Sequence, residues 1–417
     1  MKLATRLNHI DPFYVMECAK AAAELAGSPA CAGSPMIFLN IGEPDFTAPP
    51  AVLAAARRCM DRGDTHYTQA TGEPALRECI SRWYRERFGL DVPAQRIVVT
   101  AGASAALQLA CLALVERGDE VLMPDPSYPC NRHFVAACDG VPVLLPASAE
   151  DRFQLSAAAV EAAWTPRTRG VLLASPSNPT GTSIHPDEMR RIVHAVRARG
   201  GFTLVDEIYL PLSFDDTFGH SALAHAAQAA PGRPKLTELP LGGATPQASW
   251  GPHQHDDVIS INSFSKYFSM TGWRLGWLVL PEALVAPVEK LAQNLYICPS
   301  TLAQQAALAC FEPASIAEYE RRRAEFRARR DFLVPALEKL GLPVPVMPDG
   351  AFYAWADCSA HSASSWDFCF EMMNRAHVAI TPGRDFGRHA TERFVRFSYA
   401  SSMAELQEAV QRLARAL

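Results

Sequence analysis

Long apolar runs are missing from this chain. No stretch approaches the ~20 uncharged apolar residues that cross a bilayer, and Met1-Lys2-Leu3-Ala4-Thr5-Arg6-Leu7-Asn8-His9 holds no apolar segment of the kind a signal peptide needs. An excess of one charge is missing too: the net charge is −5 and the pI about 6.2, so no basic surface argues for nucleic acid. Paired cysteines are absent. The 11 cysteines are odd in number and scattered, with no Cys-x-x-Cys, which argues against a disulfide framework or a structural zinc. Buried reduced thiols are the default, and the cytosol is the expected compartment. There is no internal repeat.

What is present is enough chain, 417 residues at 49% hydrophobic, to bury a substantial core in two or three structural units. Short apolar strands alternate with amphipathic helices through the middle, the mark of a mainly parallel sheet covered on both faces. Strands are expected at 97–100, 120–123, 141–145, 171–174, 202–205, 258–261 and 275–280, with helices at 105–115 and 186–198. Helices at 315–340 and strands at 351–355 and 394–399 suggest a smaller domain, joined by the N-terminal residues up to about Pro44. The expected division is 1–47 as an arm and part of the small domain, 48–295 as the large domain, and 296–417 as the small C-terminal domain. Arg321-Arg322-Arg323 reads as a solvated helix face.

Phe214 to Asp257 breaks this rhythm with Pro231-Gly232-Arg233-Pro234, Leu241-Gly242-Gly243 and His220, His225, His253 and His255. Its composition argues against a packed element. Its ends fall just after Tyr209 and just before Lys266 in sequence, which suggests a loop over the site entrance that affects which side chains enter; the alternative is a disordered excursion. No metal is expected there, because no further ligand completes His253-Gln254-His255.

The chemistry-bearing segments each follow a strand, where open α/β sheets bind ligands. In Ser263-Phe264-Ser265-Lys266 a lysine stands between hydroxyls, and Arg274 follows between Gly272 and Gly276. A lysine that condenses with a cofactor aldehyde needs such a desolvated setting, with phosphate-binding groups such as Ser263, Ser265 and Arg274 beside it. Asp206 ends a strand, where a carboxylate is partly buried yet reaches a ligand, and Tyr209 lies three residues on. Asn178-Pro179-Thr180-Gly181 makes a stiff turn that leaves the Asn amide free. Ala103 and Ser104 open a helix whose first N–H groups suit a phosphate. Tyr128, in Pro124-Asp125-Pro126-Ser127-Tyr128-Pro129, offers a ring for stacking. Arg396 carries a planar fork suited to a carboxylate.

Together these strings resemble the class I and II aminotransferases, pyridoxal-phosphate (PLP) enzymes of fold type I. The order Gly42, Tyr67, Ser104, Tyr128, Asn178, Asp206, Tyr209, Lys266, Arg274, Arg396 runs across most of the chain. The resemblance implies an α/β large domain with a mainly parallel seven-stranded sheet and a smaller α+β domain formed by both termini. It implies Lys266 as the catalytic, PLP-carrying lysine and Asp206 beside the pyridine nitrogen. Asn178 and Tyr209 would bond the ring hydroxyl, with Tyr128 stacked on the ring. Ala103, Ser104, Ser263, Ser265 and Arg274 would take the phosphate, and Gly42, Asn178 and Arg396 the substrate carboxylate. His66-Tyr67-Thr68 and Gly72 resemble the segment whose tyrosine reaches the partner's phosphate across a homodimer. The implied reaction moves an amino group between an L-amino acid and a 2-oxo acid, 2-oxoglutarate or pyruvate, by a ping-pong course in amino acid metabolism.

Two departures matter. The interval from Asp206 to Lys266 is longer than the family usually has. Some aspartate-using members also place a lysine where this chain has Ser104, which leaves aspartate specificity in doubt. Two alternatives stay open. A PLP-dependent C–S β-lyase would share Lys266, Asp206 and Arg396. A non-catalytic regulator on the same fold usually adds a DNA-binding helical domain, and no basic helix-turn-helix precedes Gly42.

Overall fold

The computed structural model describes residues 2–226 and 257–417. In chain order its strands are β1 (Ile37–Phe38), β2 (Ile97–Thr100), β3 (Glu120–Asp125), β4 (Val141–Pro146), β5 (Thr168–Ala174) and β6 (Phe202–Asp206). They continue with β7 (Val258–Ser263), β8 (Gly276–Val279), β9 (Tyr353–Asp357), β10 (Val378–Ala379), β11 (Thr381–Pro382) and β12 (Phe394–Ser398). Seven make one sheet in the order β2-β8-β7-β6-β5-β3-β4, parallel except for β8, which is antiparallel to both neighbours.

Successive side chains of a strand point to opposite faces, so apolar strands feed two cores. Val99, Leu122, Val171, Leu173 and Val205 enter one; Val98, Val121, Leu172, Leu204 and Ile259 enter the other. Helices close both faces. Pro186–Arg197, for example, buries Met189, Ile192, Val193 and Val196, which recur at helical spacing. The sheet and the expected α/β class agree.

A second, antiparallel sheet has the order β11-β12-β9, and β1 pairs in parallel with β10, so the N-terminal segment is woven into the C-terminal third. Strand β9 starts at Tyr353, two residues later than expected, because Ala351 takes a positive φ of 59° in a turn.

Two expectations need correction. The arginine run is not a solvated face. Arg321 does pair with Glu318 and Glu325 at the surface, but Arg322 is buried and donates to the Thr47 carbonyl at 2.7 Å and Ser269 Oγ at 3.0 Å. Arg323 donates to the Ser213 carbonyl at 2.7 Å. The helix Pro313–Lys339 lies between several elements, so charged residues on its inner side reach backbone acceptors rather than water.

The stretch from Phe214 is packed at its start: Phe214, Ala222 and Leu223 are buried, and the Glu207 carboxylate accepts from Ser221 Oγ at 2.8 Å and Ala222 N at 2.6 Å. Its C-terminal end, Asp257, does not lie beside Lys266. Arg197 binds both the His225 carbonyl at 3.1 Å and Asp257 through bonds of 2.6–3.1 Å. Asp257 directly precedes β7, at the amino end of the strand and so a strand's length from Ser263 and Lys266 at its carboxyl end. Sequence adjacency misled because a parallel strand separates its two ends by its full length. His253 and His255 lie outside the described residues.

Candidate active site

Strand β7 delivers Lys266. After Ser263 the chain turns tightly: Ser265 N donates to Ser263 Oγ at 3.0 Å, and Phe264 N to the Leu275 carbonyl at 3.0 Å. Phe264, Tyr267 and Phe268, beside the lysine in sequence, are buried in the core and anchor the segment that carries it. The Lys266 amine donates to the Gly42 carbonyl at 2.5 Å and lies 5.7 Å from the centre of the Tyr209 ring. Desolvation, followed by the nearby Arg396 charge, lowers the amine to about 8. The neutral amine is therefore reached at a lower pH than for an exposed lysine, although below about 8 the protonated form still predominates.

Asp206 ends β6 between β5 and β7, in register with Ala174 and Ile261. It is buried, forms no salt bridge among the described residues, and accepts one hydrogen bond, from Ile208 N at 3.1 Å. Burial pushes its carboxyl up to about 7, opposed by that N–H and by Lys266. A cationic ring nitrogen placed beside it would restore its charge.

One end of the site is an anion cradle. The helix Ala103–Leu114 has Gly102 at its N-cap, with φ 86° and no side-chain cap, so its first N–H groups are uncovered. A Cβ on Gly102 would stand 2.6 Å from Arg274 Nη2, and one on Gly276 would stand 2.8 Å from Ala103 N. Glycine is needed at both positions for this approach. Arg274 Nη1 donates to the Thr271 carbonyl at 3.1 Å and reaches Ser265 Oγ at 3.5 Å.

At the other end lies Arg396, 3% exposed, on β12. Its Nη1 donates to Asn178 Oδ1 at 2.9 Å, and its Nη2 to the Asn40 carbonyl at 2.8 Å and Thr381 Oγ1 at 3.2 Å. The guanidinium lies 4.4 Å from the Tyr353 ring centre and 5.1 Å from that of Phe386. No carboxylate pairs with it among the described residues, and its Nε has no partner. A buried guanidinium with no carboxylate in contact is costly, so an anion that arrives with a ligand would find an unmatched partner here.

A cavity of about 540 Å³ joins these parts. It is lined by Gly42, Ala103, Ser104, Tyr128, Asn178, Asp206, Tyr209, Ser263, Ser265, Lys266, Arg274 and Arg396, which brings together every site residue expected from the sequence except Tyr67. Tyr67 is 80% exposed and stands outside it. Several residues at the site escaped the sequence reading. Tyr353, whose phenol lies 2.8 Å from that of Tyr209, reads in sequence as a core strand residue. Asn40 and Thr381 act through a carbonyl and a hydroxyl that carry no motif. Phe13, Val15, Met16 and Ile41 also line the cavity, and only the tertiary structure puts them there. Among the described residues no group of three His, Cys, Asp or Glu side chains is placed to hold a metal, and no helix is long and apolar enough to cross a membrane.

Such a site, with a lysine between an anion cradle and a buried arginine at the carboxyl edge of a doubly covered sheet, defines a group-transfer enzyme acting on a small carboxylate. Residues 34–413 match the family described as aminotransferase class I and II. The chain is 35% identical to a valine–pyruvate aminotransferase of Mycobacterium tuberculosis over 97% of its length and 96% of that protein's. It is 33% identical to an aspartate aminotransferase of Rhizobium meliloti, covering 99% of this chain and 95% of the relative. The solved aspartate aminotransferase of Thermus thermophilus with maleate superposes with a TM-score of 0.87 at 30% identity, covering 100% of both chains. This chain belongs to the class I and II aminotransferase family and is an aminotransferase of fold type I.

The family uses pyridoxal phosphate, and the residues present fit that group. The helix start beside Arg274 matches its phosphate, the singly bonded buried Asp206 matches its ring nitrogen, and Lys266 projects between the two ends.

Proposed function

We propose that this chain transfers the amino group of an L-amino acid to a 2-oxo acid, pyruvate or 2-oxoglutarate, with pyridoxal phosphate held by the residues above. The observation that carries the reading is the buried, carboxylate-free Arg396 facing the same cavity as Lys266. When bound, the cofactor supplies the carbon that receives the amino group and a ring that withdraws electrons from the substrate α-carbon. Ala103, Ser104, Ser263, Ser265 and Arg274 would hold its phosphate, Asp206 its ring nitrogen, Tyr209 and Asn178 its ring oxygen, and Tyr128 its face.

Arg396 with Asn178 seats the substrate carboxylate, and the Gly42 backbone closes over it. A Cβ at Gly42 would meet the Tyr353 hydroxyl at 3.0 Å. Lys266, with its amine lowered to about 8, takes the proton from the α-carbon and later returns one. The buried part of the lining, with Leu107, Tyr209 and Tyr353, limits water around it while it does so. A single arginine seat in this small cavity supports a ping-pong course, in which the first oxo acid leaves before the second enters. The division near residues 47 and 295 and a homodimer completed by Tyr67 belong to the same reading; the exposure of Tyr67 supports the latter.

The test is amino transfer by the PLP-loaded protein. Label from ¹⁵N-amino acids should appear in the amino acid formed from pyruvate or 2-oxoglutarate. Oxo-acid-independent release of pyruvate and sulfide from cysteine would support the C–S lyase instead. Sedimentation should give a mass of two chains.

A further inference from the structure

We infer that the amino acids accepted here are those with uncharged, apolar side chains, and that a wall carried by the N-terminal helix, seated by Asp385, selects them. The inference rests on the transaminase reading and adds its substrate class; because both half-reactions use the one seat, it also selects pyruvate over 2-oxoglutarate as the acceptor.

The cavity's cations have roles already. Arg274 belongs to the anion cradle, Lys266 to the chemistry, and Arg396 to the substrate α-carboxylate. No other lysine or arginine among the described residues lines the cavity. The remaining ionisable wall residue besides Asp206 and the tyrosines is Glu43, whose charge would repel a second carboxylate. Phe13, Val15, Met16 and Ile41 line the same cavity.

These apolar residues lie towards the Arg396 end. Ile41 adjoins Asn40, which binds Arg396, and Val15 is bound by Asp385, whose neighbour Phe386 stacks on Arg396. Phe13 meets the Tyr128 ring edge-on at 6.3 Å. A side chain projecting from a substrate held by Arg396 therefore meets hydrocarbon and a carboxylate, not a cation. Each buried methylene of the substrate gains roughly fourfold in affinity in such a setting, whereas an unpaired second carboxylate loses its hydration for nothing.

Asp385 anchors the start of the helix that carries this wall, which also packs through Tyr14 on Trp366 and through Ala22 in a small apolar cluster. Asp385, fully buried, accepts from Val15 N at 2.9 Å at the start of the helix Tyr14–Ala26, where an acidic group complements the exposed N–H groups. Its carbonyl accepts both Arg132 Nη1 and Nη2 at 3.1 Å. Asp385 thus ties the arm to the large sheet's helices and to the substrate arginine's stacking partner. It acts as a positioning residue.

The experiment compares kcat/KM for L-leucine, L-valine and L-methionine with that for L-glutamate and L-aspartate, using PLP-loaded protein and pyruvate. Calorimetric binding of the unreactive analogues 4-methylpentanoate and glutarate accompanies it. The apolar amino acids should lead by at least about tenfold, and 4-methylpentanoate should bind more tightly than glutarate. Met16→Lys, at a position 62% exposed, should reduce the leucine-to-glutamate ratio at least about tenfold without disturbing the core. Asp385→Ala should raise KM for leucine several-fold with kcat held, and Asp385→Asn, which keeps an acceptor at the helix start, should restore it. Preference for glutamate or aspartate overturns this inference and leaves the transaminase reading standing. An unchanged ratio in Met16→Lys, or loss in Asp385→Ala shared by kcat and unrescued by Asn, overturns the assignment of the wall. No transfer from any amino acid overturns both readings.

Discussion

The two ends of the cavity are assembled by different means. The Arg274 end is built within one sheet: β7, β8 and the helix Ala103–Leu114 are adjacent, and backbone groups with small residues make the cradle. The Arg396 end draws Asn40, Asn178, Tyr353, Thr381 and Arg396 from distant parts of the chain and from two sheets. A cradle of backbone N–H groups inside one rigid layer suits a group that stays bound. A seat shared between separately folded layers suits a ligand that comes and goes, because small movements between the layers open and close it. The difference assigns retention to one end and turnover to the other.

The largest expected effect comes from the residue between the ends. Lys266→Ala should reduce amino transfer by at least ~10²–10⁴-fold from loss of proton transfer alone, while cofactor released on denaturation still shows a filled cradle. A variant that transfers at the parent rate would remove Lys266 from the chemistry.

The two ends should then separate cleanly. Arg396→Lys keeps the charge but loses the fork, so KM for amino acids should rise roughly tenfold to a hundredfold with PLP content unchanged. Gly102→Ala should do the reverse. Its new Cβ meets Arg274 Nη2 at 2.6 Å and has to adopt a positive φ, so PLP should dissociate about tenfold faster, while KM in excess cofactor stays within about twofold. Loss of PLP in Arg396→Lys, measured by dialysis and absorbance, would show that the ends are coupled.

Next is pH. Below about 8 the Lys266 amine is protonated and cannot attack a carbonyl carbon. Capture of PLP by cofactor-free protein should therefore quicken about tenfold per unit up to pH 8 and level off above it. The sign for stability follows from the same shift. Between about 8 and 10.5 the unfolded chain binds the proton that the folded one has lost, so this group's contribution to stability rises with pH across that window. A flat capture profile from pH 6.5 to 9 would contradict the lowered amine.

The smallest effect is expected from replacing residues 227–256 with a short Gly-Ser linker. The stems meet at Arg197, by the amino ends of β6 and β7 and away from the carboxyl ends that carry the site, so relative rates across an amino-acid panel should stay within about twofold. A changed substrate order would show that this segment reaches the Arg396 end after all.

How much of this was legible beforehand depends on the range of each interaction. Strand alternation, helical spacing, the small residues around Gly102 and the serines around Lys266 are local patterns, and they predicted the sheet and the cradle, because each works through groups a few residues apart. Lys266, Asp206 and Arg396 were recognisable as types of group required by one chemistry. What only the tertiary structure decided was proximity between distant segments. It put Tyr353 against Tyr209, Asn40 and Thr381 on Arg396, and Phe13, Val15 and Met16 at the cavity wall. It turned Arg322 from an apparent surface charge into a buried link to Thr47 and Ser269. It also put the His225 and Asp257 stems of the long excursion at the amino end of β7, opposite the end that carries Lys266, since sequence adjacency says nothing about which end of a strand a chain enters.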